Sequence, residues 1–374
     1  MQAATVLQSL APLGPCSAIG PASRGWPFVT EPAELRLVPV KPLPRRARIL
    51  IGRAQLQTDR DFGHMVAEQV RLISPAHCYG FTQISRETAA WCADHNVPFV
   101  LDNPNGHIEN VRSVYQRESW RWCHVPFLGH PTKAAVVRVE AEYALATRIR
   151  VSSDFSKQTM VRAGVPAEKI EVIPQFLNLD RFRRPPDCAF PRPDGPLRVC
   201  FVGSLDLRKG FVYLLRAIRK VGPQRITLRI VGNTGDPWCN RLFQRESRGL
   251  DIQLLPGDPV PTYHWAELSV TPSLEDGFGF VVAEAMAAGV PVIVSDQSGA
   301  AEWAENGASG WIAAFEPSAR IDPEQVLAQL LQTALDNRGR LREMGQAGLQ
   351  SVSRRGHESN ASLLARWYSS AAHV

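Results

Sequence analysis

From residue 197 onward the sequence repeats one pattern: a short apolar run that stops at glycine or serine, then a segment with helical spacing. LRVCFVG (197–203), ITLRIVG (226–232), DIQLLPG (251–257), WAELSVTPS (265–273), PVIVSD (291–296) and GWIAAF (310–315) read as strands. Between them, FVYLLRAIRKV (211–221) places Leu214, Leu215 and Ile218 on one helical face, and FVVAEAMAAG (280–289) is a short apolar helix stopped by Gly289. Near-continuous apolar strands alternating with helices imply a parallel, doubly wound sheet buried on both faces. Ligands of such sheets bind just beyond the carboxyl ends of the strands, so functional residues are expected in the loops that follow them.

The first half is less regular but also α/β. RARILIGRA (46–54), AHCYGFT (76–82) and VPFVLDN (97–103) read as strands, and ISRETAAWCADHN (84–96) as a helix. Residues 138–153 read as a helix running into a strand, and 156–165 as a helix ended by Gly164. RRPPDCAFPRPDGPLR (183–198) carries five prolines, a density that no helix survives. The expected organisation is therefore a first domain over 1–185, a proline-rich linker over 186–196, a second domain over 197–356 and a terminal helix over 357–374.

Composition sets outer limits. The chain has 374 residues, 44% hydrophobic and 21% charged, which suits two packed domains and excludes a disordered or fibrous chain. The formal net charge is +6, with the surplus in the first half. That suits one anionic ligand or an anionic membrane surface and is too thin for a nucleic-acid protein. No stretch of 18 apolar residues is present, and the opening residues lack the pattern of a signal peptide. Seven cysteines without CxxC or zinc spacing read as free thiols in a reducing compartment, so a cytoplasmic location is expected.

Two strand-to-helix joints carry the chemistry. In the first, Gly203-Ser204-Leu205-Asp206-Leu207-Arg208-Lys209-Gly210, a helix N-terminus follows two cations, which suits a diphosphate. The alternative is a solvated turn with two surface cations. The second is Thr271-Pro272-Ser273-Leu274-Glu275-Asp276-Gly277-Phe278-Gly279. Gly277 and Gly279 free its backbone to approach a ligand. Glu284 lies eight residues beyond Asp276 inside an apolar helix, where a buried carboxylate needs a partner. A ligand hydroxyl and a neighbouring cation both meet that need.

The run PSLEDGFGFVVAEAMAAGVPVIVSDQSGAAEWAENGASGWI closely resembles the nucleotide-sugar-binding signature of family-4 glycosyltransferases, which are retaining enzymes of the GT-B fold. Two acidic positions separated by seven residues, here Asp276 and Glu284, mark that signature, and Glu275 stands beside the first. FVGSLDLRKG resembles the element whose basic residues hold the donor diphosphate, with Lys209 at the usual lysine, Ser204 where the family often has arginine, and Arg208 nearby. Residues 139–174 are similar to the segment that closes the family's first domain, and VLDNPNGHI (100–108) to the loop that presents a histidine, here His107, to the donor sugar. A lone buried histidine can equally be structural.

The resemblance implies an α/β GT-B architecture with two Rossmann-like domains facing across a cleft and the terminal helix crossing back to the first. It implies a nucleotide diphospho-sugar donor, no prosthetic group and no catalytic metal. Catalytic roles fall on His107, Arg208, Lys209, Asp276 and Glu284; donor contacts fall on Gly203, Ser204, Glu275, Gly277, Phe278 and Gly279. The acceptor is expected to be a glycan or a lipid-linked sugar in cell-surface polysaccharide or glycoconjugate synthesis, with peripheral contact at the inner membrane face. The alternatives are a GT-B sugar-nucleotide epimerase and a non-catalytic donor-binding subunit. The second arises because the family's opening strand and glycine-rich loop are expected to be missing: MQAATVLQSLAPLG reads as the helix after that loop.

Overall fold

The computed structural model describes residues 17–21, 34–38, 51–126, 131–175, 179–186, 188–191, 194–233, 237–315, 322–354 and 367. The chain divides into two compact units. One comprises Met1–Ser113, Phe127–Phe176 and His357–Val374; the other comprises Val114–Pro126 and Leu177–Gly356. The proline-rich stretch lies within the span of the second unit. The expected N-terminal helix lies outside the described residues, as does all of 357–374 except Trp367.

In the first unit, β1 (Ser17–Pro21) and β2 (Glu34–Val38) pair in parallel as a separate two-stranded sheet. A second sheet carries β3 (Cys78–Phe81), β4 (Phe99–Asn103), β5 (Arg148–Val151) and β6 (Ile170–Val172), all parallel and in sequence order. Its helices are α1 (Ile51–Ile73), α2 (Arg86–Asp94), α3 (Ile108–Cys123), α4 (Lys133–Leu145) and α5 (Asp154–Arg162). One expectation is corrected here. Residues 51–54, read as the end of a strand, begin α1, and 46–50 lie outside the described residues. A short apolar run looks alike in either state. The period beyond it, with Leu56, Phe62, Ala67 and Val70 buried, is helical.

The second unit holds six parallel strands: β7 (Leu197–Val202), β8 (Ile226–Val231), β9 (Asp251–Leu255), β10 (Leu268–Thr271), β11 (Val292–Ser295) and β12 (Gly310–Ala313). They lie in the order β12-β11-β10-β7-β8-β9. Numbered from its own first strand, this is 3-2-1-4-5-6 read from the other edge, the doubly wound order of dinucleotide-binding folds. The helices are α6 (Phe211–Val221), α7 (Pro237–Glu246), α8 (Val260–Trp265), α9 (Phe280–Ala287), α10 (Pro323–Asp336) and α11 (Leu341–Arg354). Apolar cores fill both faces, one around Leu214, Leu215, Ile218 and Leu331, the other around Val282, Met286 and Trp303. This two-sided burial is why β7 and β11 are mostly apolar. The chain reverses its winding between β7 and β10, so the loops after these two strands open at the crevice where such sheets bind ligands.

Candidate functional site

The loops after β7 and β10 are the two joints singled out in the sequence, and they touch. Gly210 has φ +70° and ends a single 3-10 turn, Leu207–Lys209. A Cβ there would sit 1.9 Å from the carbonyl oxygen of Pro272, so only glycine lets the two backbones meet. The Leu274 amide donates to the Arg208 carbonyl at 2.8 Å, closing the contact. Gly279 repeats the device. Its φ is +73°, and a Cβ would lie 2.8 Å from both Ala300 Cβ and Ser298 Oγ. The helices α6 and α9 thus both start at a left-handed glycine, and no side chain caps either one.

Two ion pairs lace the loops together. The Arg208 guanidinium donates to Glu275 Oε2 at 2.7 Å and to the Glu275 carbonyl at 3.1 Å. Its Nε is buried without a partner among the described residues. Burial opposes the charge on Arg208, but Glu275, Asp276 and Asp206 outweigh it and raise its pKa. Lys209 Nζ donates to Asp276 Oδ2 at 2.5 Å. Burial pushes the Asp276 carboxyl up, while Lys209 and Arg208 pull it further down and the Phe278 amide adds a hydrogen bond, so the group stays ionised. The side chain of Glu275 is wholly buried, whereas that of Asp276 keeps 11% exposure. Of the two adjacent carboxylates, Asp276 is the one with surface to offer.

Glu284 is half-buried on α9 and lies in no ion pair among the described residues. Its Oε2 accepts from the Tyr263 hydroxyl at 2.9 Å. Burial raises its pKa, and the tyrosine hydrogen bond offsets this only in part. Gly203 ends β7 with its amide on the Val231 carbonyl at 2.9 Å, and Ser204 is exposed. Gly277 lies buried in the loop. The Phe278 ring is buried against Phe280 and Trp303, with centroids 4.9 and 5.6 Å away, so its backbone rather than its side chain is left to meet a ligand.

His107 belongs to the first unit and lies immediately before α3. Its Nδ1 accepts from the Glu109 amide at 3.2 Å, so it caps that helix. Its ring packs 5.2 Å from Tyr143, and burial lowers its pKa, keeping it neutral.

Three residues of the second unit escaped the sequence reading. Tyr263 holds Glu284; Asp206 caps the 207–209 turn by accepting from the Arg208 amide at 2.8 Å; and Tyr115 donates to Asp206 at 2.7 Å. Only Asp206 left a local signal, an aspartate immediately before a turn. Among the described residues no group of three or more His, Cys, Asp or Glu side chains is arranged to hold a metal ion. No described helix is long and apolar enough to cross a membrane.

A 3-2-1-4-5-6 sheet with acidic and basic groups at its switch point defines a Rossmann-like ligand-binding protein. Comparison with known proteins narrows the class. Residues 196–336 match the model of the family described as glycosyl transferases group 1. It is 30% identical over 227 residues to a D-inositol 3-phosphate glycosyltransferase of Thermobispora bispora, covering 55% of this chain and 51% of that one. It is 26% identical over 184 residues to a lipopolysaccharide 1,2-N-acetylglucosaminetransferase of Salmonella typhimurium, covering 44% and 48%. The chain spans about half the length of the curated relatives it matches. In fold it is similar to a sucrose-phosphate synthase from Thermosynechococcus elongatus, with TM-score 0.70, 19% identity and coverage of 98% and 91%. It is also similar to Anabaena HepE in complex with UDP-glucose, with TM-score 0.64, 18% identity and coverage of 90% and 86%. The α/β GT-B expectation, with two Rossmann-like parallel sheets, is borne out.

Proposed function

We propose that the chain is a retaining glycosyltransferase that moves a sugar from a nucleotide diphospho-sugar to a glycan or lipid-linked acceptor, in cell-surface polysaccharide or glycoconjugate synthesis. The observation that carries the reading is Glu284, a carboxylate inside an apolar helix that forms no ion pair among the described residues and that a tyrosine hydroxyl holds in place. A structural glutamate there would be expected in an ion pair, as Glu275 is.

In this reading Glu284 takes the ribose hydroxyls. The diphosphate draws Lys209 away from Asp276 and lies against the uncapped starts of α6 and α9. Asp276, freed of Lys209, then takes hydroxyls of the transferred sugar, with the backbone of Gly277, Phe278 and Gly279 beside it. Gly203 and Ser204 line the approach. Arg208 and Lys209 neutralise charge as it builds on the departing diphosphate, a form of stabilisation that often supplies the largest single term in catalysis. Glu275 acts through Arg208, which it fixes. His107 keeps the role the resemblance implies, contact with the donor sugar. The first unit takes the acceptor, and the protein works at the cytoplasmic face, held to anionic lipid by the basic surplus of the first half. HepE was solved with UDP-glucose, so UDP-sugars are the first donors to try.

The test is product analysis with UDP-sugars, with and without an acceptor extract. Transfer with the anomeric configuration kept supports the proposal. An epimerised sugar from donor alone makes the protein an epimerase, and donor binding without turnover makes it a binding subunit. Co-sedimentation with anionic vesicles, lost at high salt, tests the membrane contact.

A further inference from the structure

The cations of the switch point sit on a turn only three residues long, Leu207–Lys209. Such a turn has little hydrogen bonding of its own to hold it. Its anchor is Asp206, whose Oδ1 accepts from the Arg208 amide at 2.8 Å. The other oxygen of Asp206, Oδ2, accepts from the Tyr115 hydroxyl at 2.7 Å. Tyr115 comes from far away in sequence, on α3, whose residues from Val114 onward belong to the second unit. That half of α3 is fastened independently. Glu118 is buried and accepts from the Trp122 indole at 3.0 Å and from the Tyr213 hydroxyl at 2.6 Å. The Arg216 guanidinium lies 4.4 Å from the Trp122 ring centroid. The helix would therefore stay docked without Tyr115, and what the Tyr115 hydroxyl adds is a fixed orientation of the Asp206 carboxylate and a direct contact with the Arg208 side chain.

We propose that Tyr115 is a positioning residue for the donor diphosphate: by orienting Asp206 it sets the turn that presents Arg208 and Lys209. The chain of contacts is continuous, from the Tyr115 hydroxyl through the Asp206 carboxylate and the Arg208 amide to the guanidinium on Glu275. This inference rests on the donor site proposed above, and it adds a residue outside both signature loops that tunes how well the site grips a nucleotide diphosphate.

Two variants separate positioning from simple anchoring. Tyr115→Phe removes the hydroxyl and keeps the ring; Tyr213→Phe removes a hydroxyl that ties the same helix but does not reach Asp206. Amide hydrogen exchange at Arg208 is measured first in the free proteins, then UDP affinity by calorimetry. The proposal expects Tyr115→Phe to speed exchange at Arg208 and to weaken UDP binding about tenfold, while Tyr213→Phe changes each by about twofold or less. The melting temperature of Tyr115→Phe should stay close to that of the parent. Equal effects of the two variants, or unchanged exchange at Arg208 in Tyr115→Phe, overturn it. If the parent protein binds none of UDP, GDP or ADP, the donor-site reading fails, and the exchange measurement still decides whether Tyr115 sets the turn.

Discussion

The two units use buried charge in opposite ways. In the first, Arg150 is almost fully buried and spends its guanidinium on Asp102 at 2.8 Å and on the carbonyls of Ile173 and Pro174. Arg138 likewise chelates Glu87, at 2.5 and 2.6 Å, and donates to the carbonyls of Gln83 and Asp59. Both guanidiniums are saturated, although Asp102 Oδ1 is buried without a partner among the described residues. At the switch point of the second unit, Arg208 keeps a buried Nε without a partner among the described residues, Lys209 holds one carboxylate, and Asp276 and Glu284 retain some exposed surface. Guanidiniums with every nitrogen engaged build a framework, whereas Arg208, with its Nε open, and the carboxylates beside it leave bonding capacity for a ligand.

The comparison breaks most readily at Arg150. Arg150→Ala strands the Asp102 carboxylate in the core and should destabilise the first unit by about 3–5 kcal/mol, read by denaturant unfolding. A loss below 1 kcal/mol would deny it a framework role. Lys209→Ala and Glu284→Ala should do the reverse, leaving stability nearly untouched and lowering transfer by about 10²–10³-fold, the scale of losing one transition-state contact. Turnover assays beside melting curves check both halves of that statement. Gly279→Ala should fall between, costing about 1–3 kcal/mol for a strained left-handed alanine that also crowds Ser298 and Ala300.

The gentlest probe is pH. Glu142 is fully buried and accepts from the Gln83 and Ser85 amides, at 2.7 and 2.9 Å. Burial pushes its pKa up to about 7. The folded state then holds a proton that the unfolded chain, with an ordinary glutamate, has released. Stability from this group is full below about pH 4.5 and is lost as pH rises toward 7. One proton corresponds to about 1.4 kcal/mol per pH unit, or roughly 2–4 °C in melting temperature. Glu142→Gln should flatten that slope between pH 5 and 7; an unchanged slope would place the titration elsewhere.

In the second unit the six strands and helices α6 and α9 were legible in the sequence, because most of its strands are buried on both faces and stop at glycine or a polar residue, whereas α7, α8, α10 and α11 were not. Helix α6 falls on the predicted 211–221. What stayed hidden was the set of partners. Nothing near position 263 announces that Tyr263 holds Glu284, and nothing near 115 points to Asp206, since both contacts join residues far apart in the chain. The adjacent carboxylates could not be told apart by sequence either. Packing decides that the Glu275 side chain is wholly buried while that of Asp276 keeps 11% exposure. The first unit was harder for a different reason: α1 opens with an apolar stretch that strand and helix share, and its buried Asp59 and Gly63 interrupt the apolar face.

The central claim is that the β7 and β10 loops bind a nucleotide diphosphate, and calorimetric titration tests it most directly. With UDP, GDP, ADP and CMP against the intact chain, at least one diphosphate should bind saturably at a single site. The same nucleotide should bind at least tenfold more weakly to Lys209→Ala and to Glu284→Ala, a factor worth about 1.4 kcal/mol. No binding of any nucleotide, or unchanged affinity in both variants, would contradict the account.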